Sequence, residues 1–429
     1  MRYLPQTSAS RKKMLEAVGV ESVDALYRDV PQKALMTGLA DLPPHQGEMA
    51  VEKTMSSYAG QNHAAPDGPF FLGAGVYYHH IPASVDYIIQ RSEFLTAYTP
   101  YQPEIAQGTL TAIYEFQTMI AQLTGQHVAN ASLYDGATAT AEAALMALRV
   151  HKKRSGVCIG NALHPEYRRV LQTYMGNHDQ VRVFDGTPDD DTACVIVQSP
   201  DFYGRPHDYD EWRKLCDASG ALLIVVVNEI VSLGLLPAPQ QADIVCGEAQ
   251  SIGLPMSYGG PHLGFFACKE AFLRQMPGRL AGETVDQDGR RGFVLTLNTR
   301  EQHIRREKAT SNICTNQGLC ALAFTVHMAL LGEDGFKNLA RLNHERACLL
   351  ADSLAAIPGV ALENDTFFNE MTVRLPGKAG AVVTALAGRG IIAGYAPDPD
   401  GNSLILAVTE MTSDEDIALL CKALAEILP

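Results

Sequence analysis

Short apolar runs alternate with amphipathic segments between about residue 70 and residue 331. The clearest run is Ala221–Val227 (ALLIVVV), which contains no polar residue. Such Val, Ile and Leu runs, separated by helices, are typical of a mainly parallel sheet covered by helices on both faces. The pattern predicts strands at Gly156–Ile159, Val181–Phe184, Ala193–Val197, Leu222–Val227, Ile244–Cys246 and Leu263–Ala267, and helices at Leu110–Leu123, Thr138–Arg149, Glu166–Tyr174 and Tyr209–Ala218.

The pattern differs at the two ends of the chain. After Gly332, helix, strand, helix, strand and helix signals follow one another, as in a small α/β unit. Near the start, apolar residues recur at helical spacing after Ser10, a residue type that caps helices, and a short helix is predicted at Ser22–Arg28. The sequence therefore predicts a helical arm over 1–70, a large α/β domain over 71–331 and a small C-terminal α/β domain over 332–429.

Composition narrows the class of protein. Apolar residues make up 46% of the 429 residues and charged residues 19%, which fits a folded chain with a large core. The net charge of −14 argues against nucleic-acid binding, which needs clustered Lys and Arg. The nine cysteines form no C-x-x-C pair, so neither a zinc site nor a disulfide framework is predicted. Since no apolar signal segment or bilayer-spanning run is visible, we expect a cytoplasmic protein that binds no metal, no nucleic acid and no membrane.

The stretch Ala242–Gly264 (ADIVCGEAQSIGLPMSYGGPHLG) reads as a strand, a polar turn and a second strand, and it contains no lysine. It resembles the cofactor loop of pyridoxal-phosphate (PLP) enzymes of the aspartate-aminotransferase fold. In those enzymes the turn carries the lysine that forms a Schiff base with the cofactor. Here the turn offers Gln250 and Ser251, and neither side chain can form that bond.

A second position lacks the group that PLP needs. Asn228 ends the central strand, where a PLP site requires a carboxylate to keep the pyridinium nitrogen protonated. A neutral amide supplies no such charge, and Glu229 should point to the opposite face because side chains alternate along a strand. The sequence therefore predicts a degenerate PLP site at Asn228, Gln250 and Ser251.

The segment Tyr134–Thr140 (YDGATAT) opens an Ala-rich helix. Free amide groups and the helix dipole at such an N-terminus suit a phosphate, so Gly136, Ala137 and Thr138 form a possible phosphate cup. An ordinary helix cap explains the same residues equally well. His164 follows a strand and is open to two interpretations as well, as a ring that stacks on a cofactor or as a capped or core residue.

Two polar segments are candidates for lining a site. Ala97–Glu104 (AYTPYQPE) combines two prolines with tyrosine, amide and carboxyl side chains, which suits a substrate wall, an interface or a packing loop. Asn298–Gln317 is basic and amide-rich, so it is either an anion-binding segment or a solvated helix face. It also contains Lys308, the one lysine near these motifs. We find no nucleophile, base and acid arrangement, so no catalytic residue is assigned on this chain.

Three segments carry a resemblance to a known family: Tyr98–Leu110, Gly259–Ala267 and Gly282–Gln317, the last ending in TSNICTNQ. They resemble the glycine cleavage system P-protein family, in particular subunit 1 of its two-subunit form, and the likeness covers nearly the whole chain. The family implies a fold-type-I PLP-dependent transferase architecture. It also implies an enzyme that decarboxylates glycine and passes the aminomethyl group to the lipoyl arm of H-protein.

The resemblance further implies a paralogous subunit 2, whose His-Lys pair binds PLP at the position of Gln250 and Ser251 here. Residues and resemblance together predict the non-PLP-binding subunit of an alpha2beta2 glycine decarboxylase, with PLP held by the partner and by no lysine of this chain. Two alternatives stay open: a self-sufficient PLP-dependent lyase or aminotransferase that uses Lys308 or another lysine, and a purely structural or regulatory paralogue. We expect this chain to line the partner's active site with Tyr98, Tyr101, Gln102, Glu104, Asn312, Thr315 and Asn316.

Overall fold

A computed structural model describes residues 6–36, 38, 41–178, 180–297, 302–314 and 317–429. The chain forms two compact units, Met1–His63 and Ala64–Pro429. Its helices are α1 (Ser8–Val18), α2 (Glu48–Ala59), α3 (Ala83–Ile89), α4 (Gln107–Thr124), α5 (Gly136–Val150), α6 (Pro165–Met175), α7 (Tyr209–Ser219), α8 (Gln302–Arg305), α9 (Gly318–Ala355), α10 (Ala379–Ala387) and α11 (Asp414–Ile427). Its strands are β1 (Val128–Ala129), β2 (Gly156–Ile159), β3 (Arg182–Asp185), β4 (Thr192–Gln198), β5 (Leu222–Val227), β6 (Ile244–Glu248), β7 (Gly264–Cys268), β8 (Leu280–Val285), β9 (Arg291–Thr296), β10 (Ala361–Leu362), β11 (Glu370–Arg374) and β12 (Ser403–Ala407).

The first unit is helical, and none of its described residues is buried. The cap of α1 is Thr7, whose Oγ1 accepts the amide N–H of Ser10 at 3.1 Å. The predicted cap at Ser10 is therefore wrong, because the helix begins before that residue. The predicted helix Ser22–Arg28 is a 3-10 turn over Asp24–Tyr27.

Seven strands form the central sheet in the order β1-β7-β6-β5-β4-β2-β3. The strands from β3 to β6 along this order pair in parallel, whereas β7 runs antiparallel to β6 and β1 runs antiparallel to β7. Alternate residues of β4 and β5 enter two different hydrophobic clusters, one with α4, α7 and α9 and the other with α5 and α6. Helices therefore cover both faces, which confirms the predicted α/β class with a mainly parallel sheet.

The parallel register brings the carboxyl ends of β4, β5 and β6 to one edge of the sheet. Val226 of β5 pairs with Gln198 of β4 and with Cys246 of β6. The residues that follow these strands, including Asn228 and Gln250, therefore start from neighbouring backbone positions. This edge is where parallel sheets place binding and catalytic side chains.

The C-terminal part has a hydrophobic core of its own. Its antiparallel sheet, β10-β11-β12, packs with α10, α11 and the end of α9. The side chain of Phe71 belongs to this core as well. The amide of Phe71 also donates to the Ile392 carbonyl at 2.8 Å. α9 crosses the predicted boundary at 331/332 with a kink at Gly332, where φ is 61°. The division into 1–70, 71–331 and 332–429 stays a prediction.

α9 passes as a membrane-spanning helix by length and composition alone. That result corrects the expectation that no segment is long enough to span a bilayer. Half of the most apolar 18-residue stretch of α9 is buried inside the protein. Phe324 and Phe336 of this helix belong to the main hydrophobic core. The packing of α9 is that of a core helix.

Candidate functional site

Asn228 and Glu229 follow β5, and both are buried. Their side chains have different nearest neighbours. Glu229 Oε2 lies 3.0 Å from Ser251 Oγ, which donates to it. The Asn228 amide has another neighbour, since its Nδ2 lies 3.7 Å from the position that a Cβ atom of Gly75 would occupy. A carboxylate therefore lies within the degenerate site, where it is hydrogen-bonded to Ser251.

The two residues at the lysine position both have partners inside the protein. The Gln250 side chain donates to the Leu254 carbonyl at 2.5 Å, and Ser251 donates to Glu229. Both residues are only 2% exposed. The turn is thus closed by its own hydrogen bonds, and it offers no amine.

The predicted phosphate cup at Gly136, Ala137 and Thr138 begins α5. Two of its amide groups already donate to carboxylates: Thr138 N–H to Asp135 Oδ1 at 2.7 Å, and Gly136 N–H to Glu248 Oε2 at 3.0 Å. Asp135 is the N-cap of α5, which agrees with the alternative interpretation of this segment as a helix cap. Phosphate binding at this position stays a prediction, and a phosphate would compete with both carboxylates.

Glu248 is the last residue of β6 and is buried. Its Oε1 accepts the amide N–H groups of Leu263 at 2.7 Å and Gln250 at 3.1 Å. Burial raises the pKa of this carboxyl group, while nearby His262 and the N–H groups of Leu263 and Gly136 oppose the rise. Each backbone donor favours the ionised form of the carboxyl group.

His79 lies between two carboxylates deep in the protein. Its Nε2 is 3.0 Å from Glu229 Oε2, and its Nδ1 is 2.9 Å from Glu410 Oε2. Burial lowers the pKa of His79, but the two carboxylates more than offset this and raise it to about 10. Burial raises the pKa of Glu410, as it does for any carboxyl group. His79 and the backbone N–H groups that bond to Glu410 outweigh burial and lower that pKa to about 2. We call Glu229, His79 and Glu410 the His79 triad; it is a buried imidazolium between two carboxylates.

Sequence reasoning missed this triad. Glu229 and Glu410 are separated from His79 by 150 and 331 residues, so no local spacing signals the contact. His164 is the N-cap of α6, a role that the sequence did not predict. Its Nδ1 accepts the Glu166 amide at 3.1 Å, and its Nε2 donates to the Ala74 carbonyl at 2.8 Å. Burial is the main cause of its lowered pKa, which agrees with a neutral ring.

A small cavity lies between Asn228, Glu229 and Glu370, with a volume of about 10 Å³. Glu370 accepts the Ala74 amide at 2.5 Å and the Tyr77 hydroxyl at 2.9 Å, and burial raises its pKa to about 7. Asn228 Oδ1 has no hydrogen-bond partner within the described part of the chain. Small-molecule sites usually measure roughly 300–1,000 Å³, whereas this cavity has room for about one water molecule.

The residues predicted to line a partner's site are on the surface wherever the structure describes them. Tyr98 is 70% exposed and Tyr101 is 54% exposed. The buried Arg279 stacks its guanidinium 4.7 Å from the centre of the Tyr101 ring and donates a hydrogen bond to its hydroxyl. Gln102, Glu104 and Asn312 are exposed too, while Thr315 and Asn316 lie outside the described residues. Ser251 of the degenerate site is thus bonded to Glu229, the neighbour of Asn228, and Tyr101 of the lining residues has a contact of its own.

The alternative sources of chemistry have little support. Lys308 is exposed in a 3-10 turn over Arg306–Lys308, not at the end of a strand. Within the described ranges, no three His, Cys, Asp or Glu side chains are placed to hold a metal ion.

Comparisons with known proteins agree on one family. The family model described as glycine cleavage system P-protein matches residues 1–424. The probable glycine dehydrogenase (decarboxylating) subunit 1 of Maricaulis maris (strain MCS10) is 55% identical over 448 residues, with 100% of each chain covered. The protein of the same description from Rhodospirillum centenum (strain ATCC 51521 / SW) is 56% identical over 449 residues, with 100% of each chain covered.

A solved structure supports the same assignment. The crystal structure of glycine decarboxylase (P-protein) of the glycine cleavage system, in inhibitor-bound form, is 43% identical and covers 100% of both chains. Its TM-score against this chain is 0.91. The predicted fold-type-I, PLP-transferase-like architecture is therefore confirmed.

The His79 triad should make stability depend on pH. Because the pKa of His79 is raised from 6.5 to about 10, its contribution is fully present below about pH 6.5 and is lost as the pH rises through 10. The contribution of Glu410 to stability changes with pH in the opposite direction. Its pKa is lowered from 4.5 to about 2, so its contribution is present above about pH 4.5 and is lost as the pH falls through 2.

We expect His79→Gln to cost roughly 3–5 kcal/mol of stability at pH 7, because the buried Glu229 and the partly buried Glu410 lose their cation. The variant should also show a smaller fall in melting temperature between pH 7 and 10 than the wild type. Thermal unfolding across this range measures both effects, with His63→Gln at an exposed position as the control. A His79→Gln profile parallel to that of the wild type would contradict the buried imidazolium.

Proposed function

The chain belongs to the glycine cleavage system P-protein family, and we propose that it is the subunit of a two-subunit glycine decarboxylase that does not bind PLP. The complex decarboxylates glycine and transfers the aminomethyl group to the lipoyl arm of H-protein. The cofactor belongs to the partner, subunit 2, in an alpha2beta2 assembly in the cytoplasm. This chain contributes surface and shape to the partner's active site.

The observation that carries this proposal is that PLP does not fit the degenerate site. PLP needs a lysine for the Schiff base, a carboxylate for the ring nitrogen and donors for the phosphate. Ser251 stands at the position of the lysine and Asn228 at the position of the carboxylate. The Gly136 amide, a predicted phosphate donor, already donates to Glu248. A phosphate beside the buried Glu248 would add like charge in a site closed to solvent, which is unfavourable.

Four exposed side chains between Tyr98 and Glu104 support a role at the partner's site: Tyr98, Tyr101, Gln102 and Glu104. Tyr101 is oriented by Arg279, through both ring stacking and a hydrogen bond. The segment is also tied down at its far end, since the Gln107 side chain donates to the Phe293 carbonyl and accepts the Phe293 amide. Pre-oriented polar groups lose little entropy when a partner or substrate binds. Tyr and amide side chains of this kind orient a glycine carboxylate and exclude water, and Asn312, Thr315 and Asn316 are proposed to help.

The alternatives differ from this proposal in what they require. A self-sufficient lyase or aminotransferase requires a buried, activated lysine, and the exposed Lys308 does not meet that need. A purely structural paralogue requires that the exposed lining residues have no effect on turnover. The two experiments that follow separate these cases.

Reduction of the isolated chain with borohydride in the presence of PLP tests the absence of a cofactor lysine. We expect no lysine to be labelled stoichiometrically, because no lysine lies at the ends of β5 and β6. Peptide mapping by mass spectrometry gives the result, and the partner subunit, treated alike, should be labelled at one lysine. A single fully labelled lysine in this chain, Lys308 included, would refute the proposal.

The combined variant Tyr101→Phe and Glu104→Gln tests the lining role in the reconstituted complex. Loss of one hydroxyl donor and one charge should lower turnover about tenfold or more, which corresponds to roughly 1.4 kcal/mol of activation energy. Tyr87→Phe, at another exposed tyrosine, is the matched control and should keep wild-type turnover. Size-exclusion chromatography checks assembly. Unchanged turnover in an intact complex would favour a purely structural role.

A further inference from the structure

Three backbone N–H groups converge on the buried carboxylate of Glu248 at the N-terminus of α5. We propose that Glu248 is a built-in substitute for a cofactor phosphate, so that this chain fills its anion site with a side chain of its own. The inference rests on the proposed function, in which this chain binds no PLP, and it adds how the degenerate site keeps its shape.

The donors come from separate parts of the chain. Gly136 is the first residue of α5, Gln250 lies in the turn after β6, and Leu263 precedes β7. Their amides lie 3.0, 3.1 and 2.7 Å from the two carboxylate oxygens of Glu248. The residue is only 4% exposed, so water cannot replace these hydrogen bonds without opening the site. Such a set of backbone donors is what a bound phosphate also uses.

Glu248 is more than an ordinary helix cap. Asp135 already caps α5 through the Thr138 amide at 2.7 Å. Glu248 is a second anion at the same helix end and reaches it from 112 residues away in the sequence. The positive end of the helix dipole stabilises such a charge, and His262 Nδ1 lies 3.8 Å from Glu248 Oε2.

The arrangement ties the backbone of the site together. A phosphate held by these amides would join the start of α5 to the loop between β6 and β7. Glu248 makes that connection permanently, because the side chain is part of β6 and no ligand has to be captured from solution. The site therefore keeps its cofactor-type geometry without a cofactor.

Glu248→Ala in the full-length chain tests the proposal by chemical rescue. Removing the carboxylate leaves three buried donors unpaired, and we expect the melting temperature to fall by roughly 5–10 °C. Millimolar inorganic phosphate should then restore at least half of the loss, relative to chloride at equal ionic strength. The wild type should show no phosphate-specific change, because Glu248 already holds the donors.

Glu370→Ala is the matched control, because it also removes a buried carboxylate. Glu370 accepts hydrogen bonds from the Ala74 amide and the Tyr77 hydroxyl, and it does not lie at a helix N-terminus. It should lose stability and gain nothing from phosphate. If Glu248→Ala does not fold from chloride buffer, its refolding yield in phosphate and the melting temperature of Glu248→Gln replace the first measurement. Folded Glu248→Ala without phosphate-specific stabilisation, or equal rescue of Glu370→Ala, would overturn the proposal.

Equilibrium dialysis separates this inference from the proposed function. The Glu248→Ala chain should bind about one inorganic phosphate, and the wild type should bind neither phosphate nor PLP at this site. Stoichiometric PLP on the wild-type chain would refute the proposed function. A Glu248→Ala chain that binds no phosphate would refute only the role of Glu248.

Discussion

The imidazolium of His79, held between Glu229 and Glu410, is the interaction on which the geometry of the candidate site depends. It joins the segment before α3 to the end of β5 and to the residues that follow β12. Removing the cation from one buried and one partly buried carboxylate costs several kcal/mol, so the three segments are held in one arrangement. Ser251 donates to the same Glu229 oxygen that faces His79. The position expected of a cofactor lysine is thus part of a structural network.

The degenerate site is filled by the protein itself. Gln250 and Ser251 are both hydrogen-bonded within the chain, and Glu248 holds the amide at the start of α5. Asn228 differs, because its Oδ1 has no partner in the described part of the chain and faces a cavity the size of about one water molecule. These contacts favour a chain that has kept the architecture of a PLP enzyme while its partner supplies the cofactor.

Much of the fold was predictable because buried parallel strands are uninterrupted apolar runs. Gly156–Ile159 and Leu222–Val227 were predicted with their observed ends. The hairpin of β8 and β9 was missed, since buried and exposed positions do not alternate along its strands and the charged Glu283 and Arg291 interrupt the apolar pattern. In the site, the replacements at the PLP positions could be read from residue identity alone. The His79 triad and the donors to Glu248 could not, because they depend on contacts between residues far apart in the sequence.

The proposed function divides the labour between two related subunits and places the cofactor on the partner subunit. The most direct test is the PLP content of the purified two-subunit complex, measured by cofactor release and protein quantification. We expect one PLP for each pair of chains, bound to the partner. Two PLP molecules for each pair, with one of them on this chain, would contradict the proposed function.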